Sequence, residues 1–421
     1  MTNRMIPAVR TIAAAAALCC AGLAQAQTTN SVTLYGLVDV GVTSVSGLKG
    51  GTVSQLASGI MEGSRWGLKG NEDLGDGYKA IFTLESRFEA DTGALGSRPI
   101  SGSQLSDRFS QASLLGLPSA LLPAVSAVDS LLAAQFGVNV TGNAFDRQAY
   151  VGLVTPFGAI LAGRQYTPGY ETFAAYDITN TQSALSAGQT VQFPGIFEIR
   201  TPNALAYRIV KDGISGSLMY APGEVAGDNS KGRLLGVNAN YKTSMFSVGL
   251  GYNTKNNELG EKSLTATVLG ASMTFGNSKI SSVVSKMTDD HPNGLSAIAP
   301  ALTSAVGATA AAMVQTAFIE AMKQDGTLFH IGYQYVTGPN TVSVAYSKYD
   351  DKRKADADTA SYGVAYSYAL SKRTDLNVVA VHFNNTGLAQ SAPGGNGYLG
   401  GVTASAGTDS NGYAFGIRHR F

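Results

Sequence analysis

Gly412-Tyr413-Ala414-Phe415-Gly416-Ile417-Arg418-His419-Arg420-Phe421 ends the chain, and its two parities decide what kind of sheet it belongs to. Tyr413, Phe415, Ile417, His419 and Phe421 form a mostly apolar face, and Gly412, Ala414, Gly416, Arg418 and Arg420 form the other. Successive strand residues point to opposite faces, so such a segment separates two media. The same split recurs in Phe246, Val248, Leu250 and Tyr252 against Ser247, Gly249, Gly251 and Asn253. It appears again in Tyr362, Val364, Tyr366 and Tyr368 against Gly363, Ala365, Ser367 and Ala369, and in Phe329, Ile331, Tyr333 and Tyr335 against His330, Gly332 and Gln334. A soluble sandwich turns its second face to bulk water and fills it with charge. Here that face is mostly Gly, Ala, Ser and Asn, as a crowded lumen favours. A lipid-facing Arg at the bilayer midplane costs about 2–4 kcal/mol, so Arg418 and Arg420 are expected to face the lumen.

Working outward from this strand, sixteen alternating segments are joined in strict turn by a tight link and a long one. The tight links are Gly75-Asp76-Gly77, Pro156-Phe157-Gly158, Lys211-Asp212-Gly213, Thr243-Ser244, Gly276-Asn277-Ser278, Gly338-Pro339-Asn340 and Ser371-Lys372-Arg373. Most of these residues suit turn geometry. The long connections are expected near 44–59, 89–144, 167–199, 222–232, 255–262, 288–326, 350–360 and 384–410. The reading is an all-β fold, a transmembrane antiparallel 16-stranded β-barrel whose even strand number lets the last strand pair with the first.

Composition agrees. The 421 residues are 44% apolar and 14% charged, with 50 Gly, 19 Tyr, 16 Phe and one Trp, against about 25% charged in ordinary soluble domains. Residues 1–26 read as a secretory signal peptide. Arg4 and Arg10 precede an apolar run from Ile12 to Ala24, and Ala24-Gln25-Ala26 is a small-x-small cleavage site. The run is shorter than the roughly 18–20 residues a spanning helix needs. Cys19 and Cys20 both fall inside it, so the segment from Gln27 to Phe421 carries no thiol chemistry, with lipid modification at Cys20 as the alternative. That segment has 28 basic and 29 acidic side chains and offers no footprint for nucleic acid.

No Gly-x-Ser-x-Gly, His-Glu-x-x-His, Cys-x-x-Cys or P-loop is present, so no catalytic group, metal or cofactor is expected. Gly395-Asn396-Gly397-Tyr398-Leu399-Gly400 matches a dinucleotide fingerprint in letters but lies in a Gly-rich loop without a βαβ unit. Asp289, Asp290 and His291, and the group Asp350, Asp351, Asp356 and Asp358, read as solvated loop charges.

Over residues 31–421 the chain resembles the trimeric general diffusion porins of Gram-negative bacteria, closest to their β-proteobacterial branch. The resemblance is carried by Val32-Thr33-Leu34-Tyr35-Gly36-Leu37-Val38-Asp39, by Ser64-Arg65-Trp66-Gly67-Leu68-Lys69-Gly70-Asn71-Glu72-Asp73-Leu74-Gly75-Asp76-Gly77, and by Asp146-Arg147-Gln148-Ala149-Tyr150-Val151-Gly152-Leu153. Phe157-Gly158, Gly163-Arg164-Gln165-Tyr166 and the terminal Phe421 complete it. It implies an outer-membrane channel, assembled as a homotrimer among outer-membrane lipid and lipopolysaccharide, passing ions and small hydrophilic solutes without a cofactor. It also implies a third long loop, 167–199, folded into the lumen, with acidic groups facing a ladder of arginines.

Carried over position by position, the ladder is Arg65, Arg147 and Arg200, and the acidic side is Glu171, Asp177 and Glu198, with Arg87 and Arg164 as further constriction residues. Arg87 and Arg208 also read as partners balancing Glu85, Glu89 or the loop acids. Where the resemblance expects a basic residue on the first strand, this chain has Leu37. The lumen-facing charges lean towards weak anion selectivity. A substrate-specific channel and a non-conducting adhesive barrel are the alternative readings. Within the connections 89–144 and 288–326, residues 110–136 and 294–322 read as short helices broken by Pro118, Pro123 and Pro300, capping the mouth or clasping a neighbouring subunit.

Overall fold

In the computed structural model, which describes residues 30–191, 198–396 and 399–421, one sheet of seventeen strands closes on itself. In chain order these are β1 (Ser31–Leu48), β2 (Gly51–Ser58), β3 (Arg65–Gly75), β4 (Tyr78–Arg87), β5 (Gln148–Thr155), β6 (Gly158–Tyr166), β7 (Arg200–Lys211), β8 (Ile214–Ala221) and β9 (Leu234–Lys242). The remainder are β10 (Phe246–Asn256), β11 (Lys262–Phe275), β12 (Ser278–Asp289), β13 (Gln324–Thr337), β14 (Asn340–Asp351), β15 (Thr359–Ala369), β16 (Thr374–Asn385) and β17 (Ser410–Arg420). β2 and β3 lie end to end along one flank of β1, which pairs with β2 through Val40–Leu48 and with β3 through Ser31–Leu37. The two halves fill a single place in the wall, so the barrel has the expected sixteen staves. The expected signal peptide, 1–26, lies outside the described residues, as do Gly397 and Tyr398 of the Gly-rich loop.

Each of the seven tight links joins an antiparallel pair as read from the sequence. The first long connection does not form where expected. β1 runs on to Leu48, and β2 starts at Gly51 after a two-residue turn, so 44–59 is mostly hairpin. Its glycines serve a bulge and a turn. The register shifts between Val45 and Leu48, and Gly47 and Gly51 take φ of 77° and 93°. The irregular stretch is 59–64, inside the wall.

Burial follows the parities read from the sequence. Phe415 and Ile417, Val248 and Leu250, and Tyr362 and Val364 are exposed on the outer face, while Arg418, Ser361 and His330 are buried within. At the seam β1 pairs with β17 from Leu37↔Arg420 to Val45↔Gly412. Gly36 and Phe421 exchange both backbone hydrogen bonds, at 3.2 and 3.0 Å.

The third loop folds into the barrel. Its helix α3 (Pro168–Tyr176) starts with Thr167 accepting from the Tyr170 N–H and with Pro168 in the first turn. It lies on the glycine-rich inner face of β9–β11. A Cβ on Gly270 would sit 2.1 Å from the Tyr176 ring, and one on Gly251 2.7 Å from Thr172 Oγ1. The small residues inside the barrel therefore make room for the loop as well as for water.

Outside the barrel, α1 (Asp107–Ser110) and α2 (Leu122–Gln135) come from the 89–144 connection, and α4 (Ile298–Val306) and α5 (Ala308–Met322) from the 288–326 connection. The prolines do not break these helices as expected. Pro123 and Pro300 sit in the first turns of α2 and α4, where a missing N–H costs nothing, and the break between α4 and α5 is at Gly307, φ 81°. The two connections share one core, in which Phe109, Val125 and Val128 pack in the same cluster as Leu302, Val314 and Phe318. Each such side chain contributes about 1.5–3 kcal/mol by burial. No helix among the described residues is long and apolar enough to cross a membrane.

Two outcomes follow. A Cβ at Gly36 would lie 2.5 Å from Arg65 O and 2.5 Å from the Phe421 ring, whereas one at Gly50 meets nothing within 4 Å. Gly36→Ala is expected to lower the detergent unfolding temperature and Gly50→Ala to leave it unchanged, read as heat-modifiable migration on gels. Because Phe318 belongs to the core both connections share, Phe318→Ala is expected to cost about 3–5 kcal/mol of cap stability. Proteolysis should then open 89–144 and 288–326 together while the barrel stays intact.

Candidate functional site

The break between β2 and β3 carries Gly59-Ile60-Met61-Glu62-Gly63-Ser64 into the lumen. Asp39, on the inner face of β1, holds it there. Its carboxylate accepts from the N–H groups of Ile60 (3.1 Å), Met61 (2.9 Å) and Glu62 (2.7 Å), and its own backbone bonds to Gly59 N and Ser64 Oγ. Three N–H donors on one buried carboxylate offset the partners the wall lost at the break. The result is that the Glu62 side chain faces three arginines from two strands, β3 and β17.

Glu62 pairs with Arg65 at 2.7 Å, with Arg418 at 2.8 Å and with Arg420 at 2.8 Å. Asp375 on β16 clamps the last two from the other side, at 3.0 and 2.9 Å. Arg65 also approaches Glu85 at 3.6 Å, and Glu85 holds Arg147 at 2.7 Å and accepts from Tyr35 Oη at 3.1 Å. Arg147 and Arg200 both donate to Tyr166 Oη at 2.9 Å, and the Arg200 guanidinium lies 4.5 Å from the Tyr166 ring centroid. One charged chain thus runs from Asp375 to Arg200 and contains five arginines and three carboxylates.

Arg65, Arg147 and Arg200 therefore share partners, Glu85 joining the first two and Tyr166 the last two. Arg147 achieves this from the residue before β5, where its N–H donates to Glu85 O and strand parity no longer fixes its direction. The basic group missing at Leu37 is supplied by its cross-strand partner Arg420. Arg87 forms an ion pair with Glu89 where β4 leaves the wall, and Arg164 Nε donates to the backbone oxygen of Asp146 at 2.6 Å.

The loop acids are each committed elsewhere. Asp177 is fully buried inside the third loop, accepting from Thr179 N and Oγ1 (2.8 and 2.6 Å), Ser186 Oγ (3.1 Å) and Ala187 N (2.9 Å), so it organises the loop and does not line the lumen. Glu171 pairs with Arg208 at 2.5 Å, and Glu198 with Lys255. Phe193-Pro194-Gly195-Ile196-Phe197, within the third loop, lies outside the described residues. The loop is tied to the inner wall by the N–H of Ile178 donating to His330 Nε2 (3.0 Å), Ser281 Oγ to Tyr176 O (2.6 Å), and Asn253 Nδ2 to Thr167 Oγ1 (2.8 Å).

Sequence reasoning missed Glu62, Asp375 and Tyr166 as parts of this chain and did not join Arg418 and Arg420 to it. Asp375 and Tyr166 lie next to turns or loop starts, where parity is a weak guide. Glu62 follows the expected connection 44–59, and nothing local marks the inward turn except two glycines, Gly59 and Gly63. Among the described residues, no group of three or more His, Cys, Asp or Glu is arranged to hold a metal ion.

A family model described as Gram-negative porin matches residues 11–388. An outer membrane porin protein of Bordetella pertussis is 26% identical, with 98% of this chain and 100% of that protein covered. Outer membrane porin protein 32 of Delftia acidovorans is 26% identical over 98% of this chain and 99% of its own length. Among solved structures, the anion-selective porin from Comamonas acidovorans superposes with a TM-score of 0.64 at 24% identity, covering 93% of this chain and 100% of that one, which is a likeness of fold.

The geometry separates two arginines by the partners they would leave behind. Arg147→Gln takes the closest cation from buried Glu85, leaving it Arg65 at 3.6 Å and the Tyr35 hydroxyl, and is expected to destabilise the barrel by about 1.5–3 kcal/mol. Arg200 bonds to a neutral hydroxyl, so Arg200→Gln is expected to cost under about 1 kcal/mol. Denaturant unfolding of the two variants checks the order.

Proposed function

Because the chain belongs to the Gram-negative porin family, and is an integral outer-membrane β-barrel for passive diffusion and not an enzyme, we propose that its channel favours small hydrophilic anions. The observation that carries this reading is the surplus of positive charge on the charged chain, five arginines against three carboxylates. The acids of the third loop do not offset it, since Glu171 and Glu198 have basic partners of their own and Asp177 is enclosed. Lys69, on the inner face of β3 below the arginines, adds another positive charge beside Tyr35. A ring of fixed cations in a narrow lumen lowers the energy of a passing anion and raises that of a cation.

Arg65, Arg147 and Arg200 then act as pore-lining residues with Arg418 and Arg420 beside them, and Glu62 tempers their field. Arg87, Arg164, Asp177 and Glu198 support the walls. The chain is exported by way of residues 1–26, is cut before Gln27 and assembles as a homotrimer in contact with lipopolysaccharide, as the family resemblance implies. The two extracellular connections form one domain-like cap above the wall.

The test is the reversal potential in a planar bilayer under a salt gradient. The wild-type protein is expected to shift towards the anion potential, and Glu62→Gln, which removes one of three carboxylates, to shift further in the same direction. Arg200→Gln should move it back towards zero. All three shifts should shrink as salt rises, since the Debye length falls from about 10 Å at 0.1 M to about 3 Å at 1 M. A cation-selective wild type, or no shift in Glu62→Gln, would overturn the reading.

A further inference from the structure

We propose that Asn396 is a positioning residue that latches the first half of the last extracellular loop, 386–396, inside the lumen, so that three inward segments and not the third loop alone set the size limit of the channel.

Pro393 places this loop within the barrel, because a Cβ on Gly412, on the inner face of β17, would lie 2.8 Å from its ring. Ala389, Gln390, Ser391 and Ala392 are buried. Three inward segments meet at Asn396. Its Oδ1 accepts from the N–H of Gly63 at 3.1 Å, in the break between β2 and β3, and its Nδ2 donates to the backbone oxygen of Thr181 at the tip of the third loop. It is thus bonded to both of the other segments. Weaker ties run alongside, from Gln189 Nε2 to Gly395 O at 3.2 Å and from Ser391 Oγ to Thr190 O at 3.3 Å.

The arginines lie immediately behind this junction. Gly63 O accepts from Arg65 Nη1 at 3.1 Å, and a Cβ on Gly63 would be 3.3 Å from Asn396 Oδ1 and 3.7 Å from Arg147 Nη1. Opposite Asn396, the third loop is held in a costly conformation. Asn180, Thr181 and Ser183 have φ of 53°, 61° and 61°, and a β-branched threonine in the left-handed region persists only when its surroundings impose it. The surroundings here are Asn396 on Thr181 O, Tyr170 Oη on Thr181 Oγ1 at 2.9 Å, and Met61 O accepting from Ser183 N at 3.0 Å. Removing the Asn396 amide frees the last loop and lets the strained tip relax away from the arginines. No charge changes, so pore size should respond without selectivity.

The experiment uses protein purified from outer membranes and two readouts. Ser391→Cys places a thiol at a buried loop position, and its labelling by a membrane-impermeant maleimide reports loop opening without requiring conduction. Adding Asn396→Ala should speed labelling about tenfold, the order that two lost hydrogen bonds supply. In bilayers Asn396→Ala should raise single-channel conductance about 1.5-fold and admit larger polyethylene glycols, with the reversal potential unchanged, since permeation depends on the narrowest section. Asn396→Ser, which is uncharged and too short to reach both partners at once, should fall between in both readouts, and it serves if the alanine variant does not fold. Unchanged labelling overturns the latch. Faster labelling with unchanged conductance and size limit overturns its role in the constriction. A wild type that does not conduct refutes the channel reading above, while the labelling ratio still decides the latch.

Discussion

Every backbone N–H and C=O in the wall must find a partner in the wall, because hydrocarbon offers none. The seam between β1 and β17 meets this demand around the circumference, down to the last residue, where Phe421 and Gly36 bond reciprocally. The break between β2 and β3 would violate it. There six residues leave the ladder in the middle of a stave, and a single aspartate takes up the donors that result, Asp39 binding the N–H groups of Ile60, Met61 and Glu62. Ser64, bonded through its hydroxyl to both Asp39 and Ser58, closes the other end. The inward course of the chain, and with it the placement of Glu62, rests on that carboxylate.

From this placement the electrostatics follow. Five guanidinium groups on alternate staves from β17 to β7 would repel one another strongly at low dielectric. Carboxylates at 2.7–3.0 Å between them remove most of that repulsion while leaving the wall positive. Arginine suits the task because its planar fork can bond two partners at once and it stays charged at any working pH. Arg418 uses the fork to hold Asp375 and Glu62 together, and Arg147 to hold Glu85 and Tyr166. The order of the chain fixes each side chain, so the arginines hold a set geometry instead of forming a mobile fringe.

How much of this was legible in the sequence depended on the range of the interaction. Period-two alternation is local, so the staves, the tight turns and the outward aromatics of β10, β13, β15 and β17 could be read directly. Arg65 and Arg200 emerged because a strand motif and a loop boundary place them. The break between β2 and β3 was not legible, since Asp39 and Glu62 are far apart in sequence and the contact between them fixes the inward turn. The acids of the third loop were legible as acids only. Which of them face the lumen is decided by partners such as Arg208 and Lys255 on distant strands. The shared core of the two helical connections was invisible for the same reason, although each set of short helices could be recognised alone.

The commitment of those loop acids changes what kind of filter the barrel holds. An acidic loop opposite an arginine ladder creates a transverse field that orients water and penalises apolar solutes through their lack of a dipole. Here Asp177 spends both carboxylate oxygens on Thr179, Ser186 and Ala187, and Glu171 is already paired. Among the described residues of the loop, Asp177 is enclosed and Glu171 is paired, so neither offers a free charge opposite the arginines. A field without opposed charge has a larger component along the axis, set by net charge, and a smaller one across it. On the proposed reading, discrimination falls on the sign of the solute more than on its polarity, and the proposed latch leaves the size limit to the packing of the inward segments against one another.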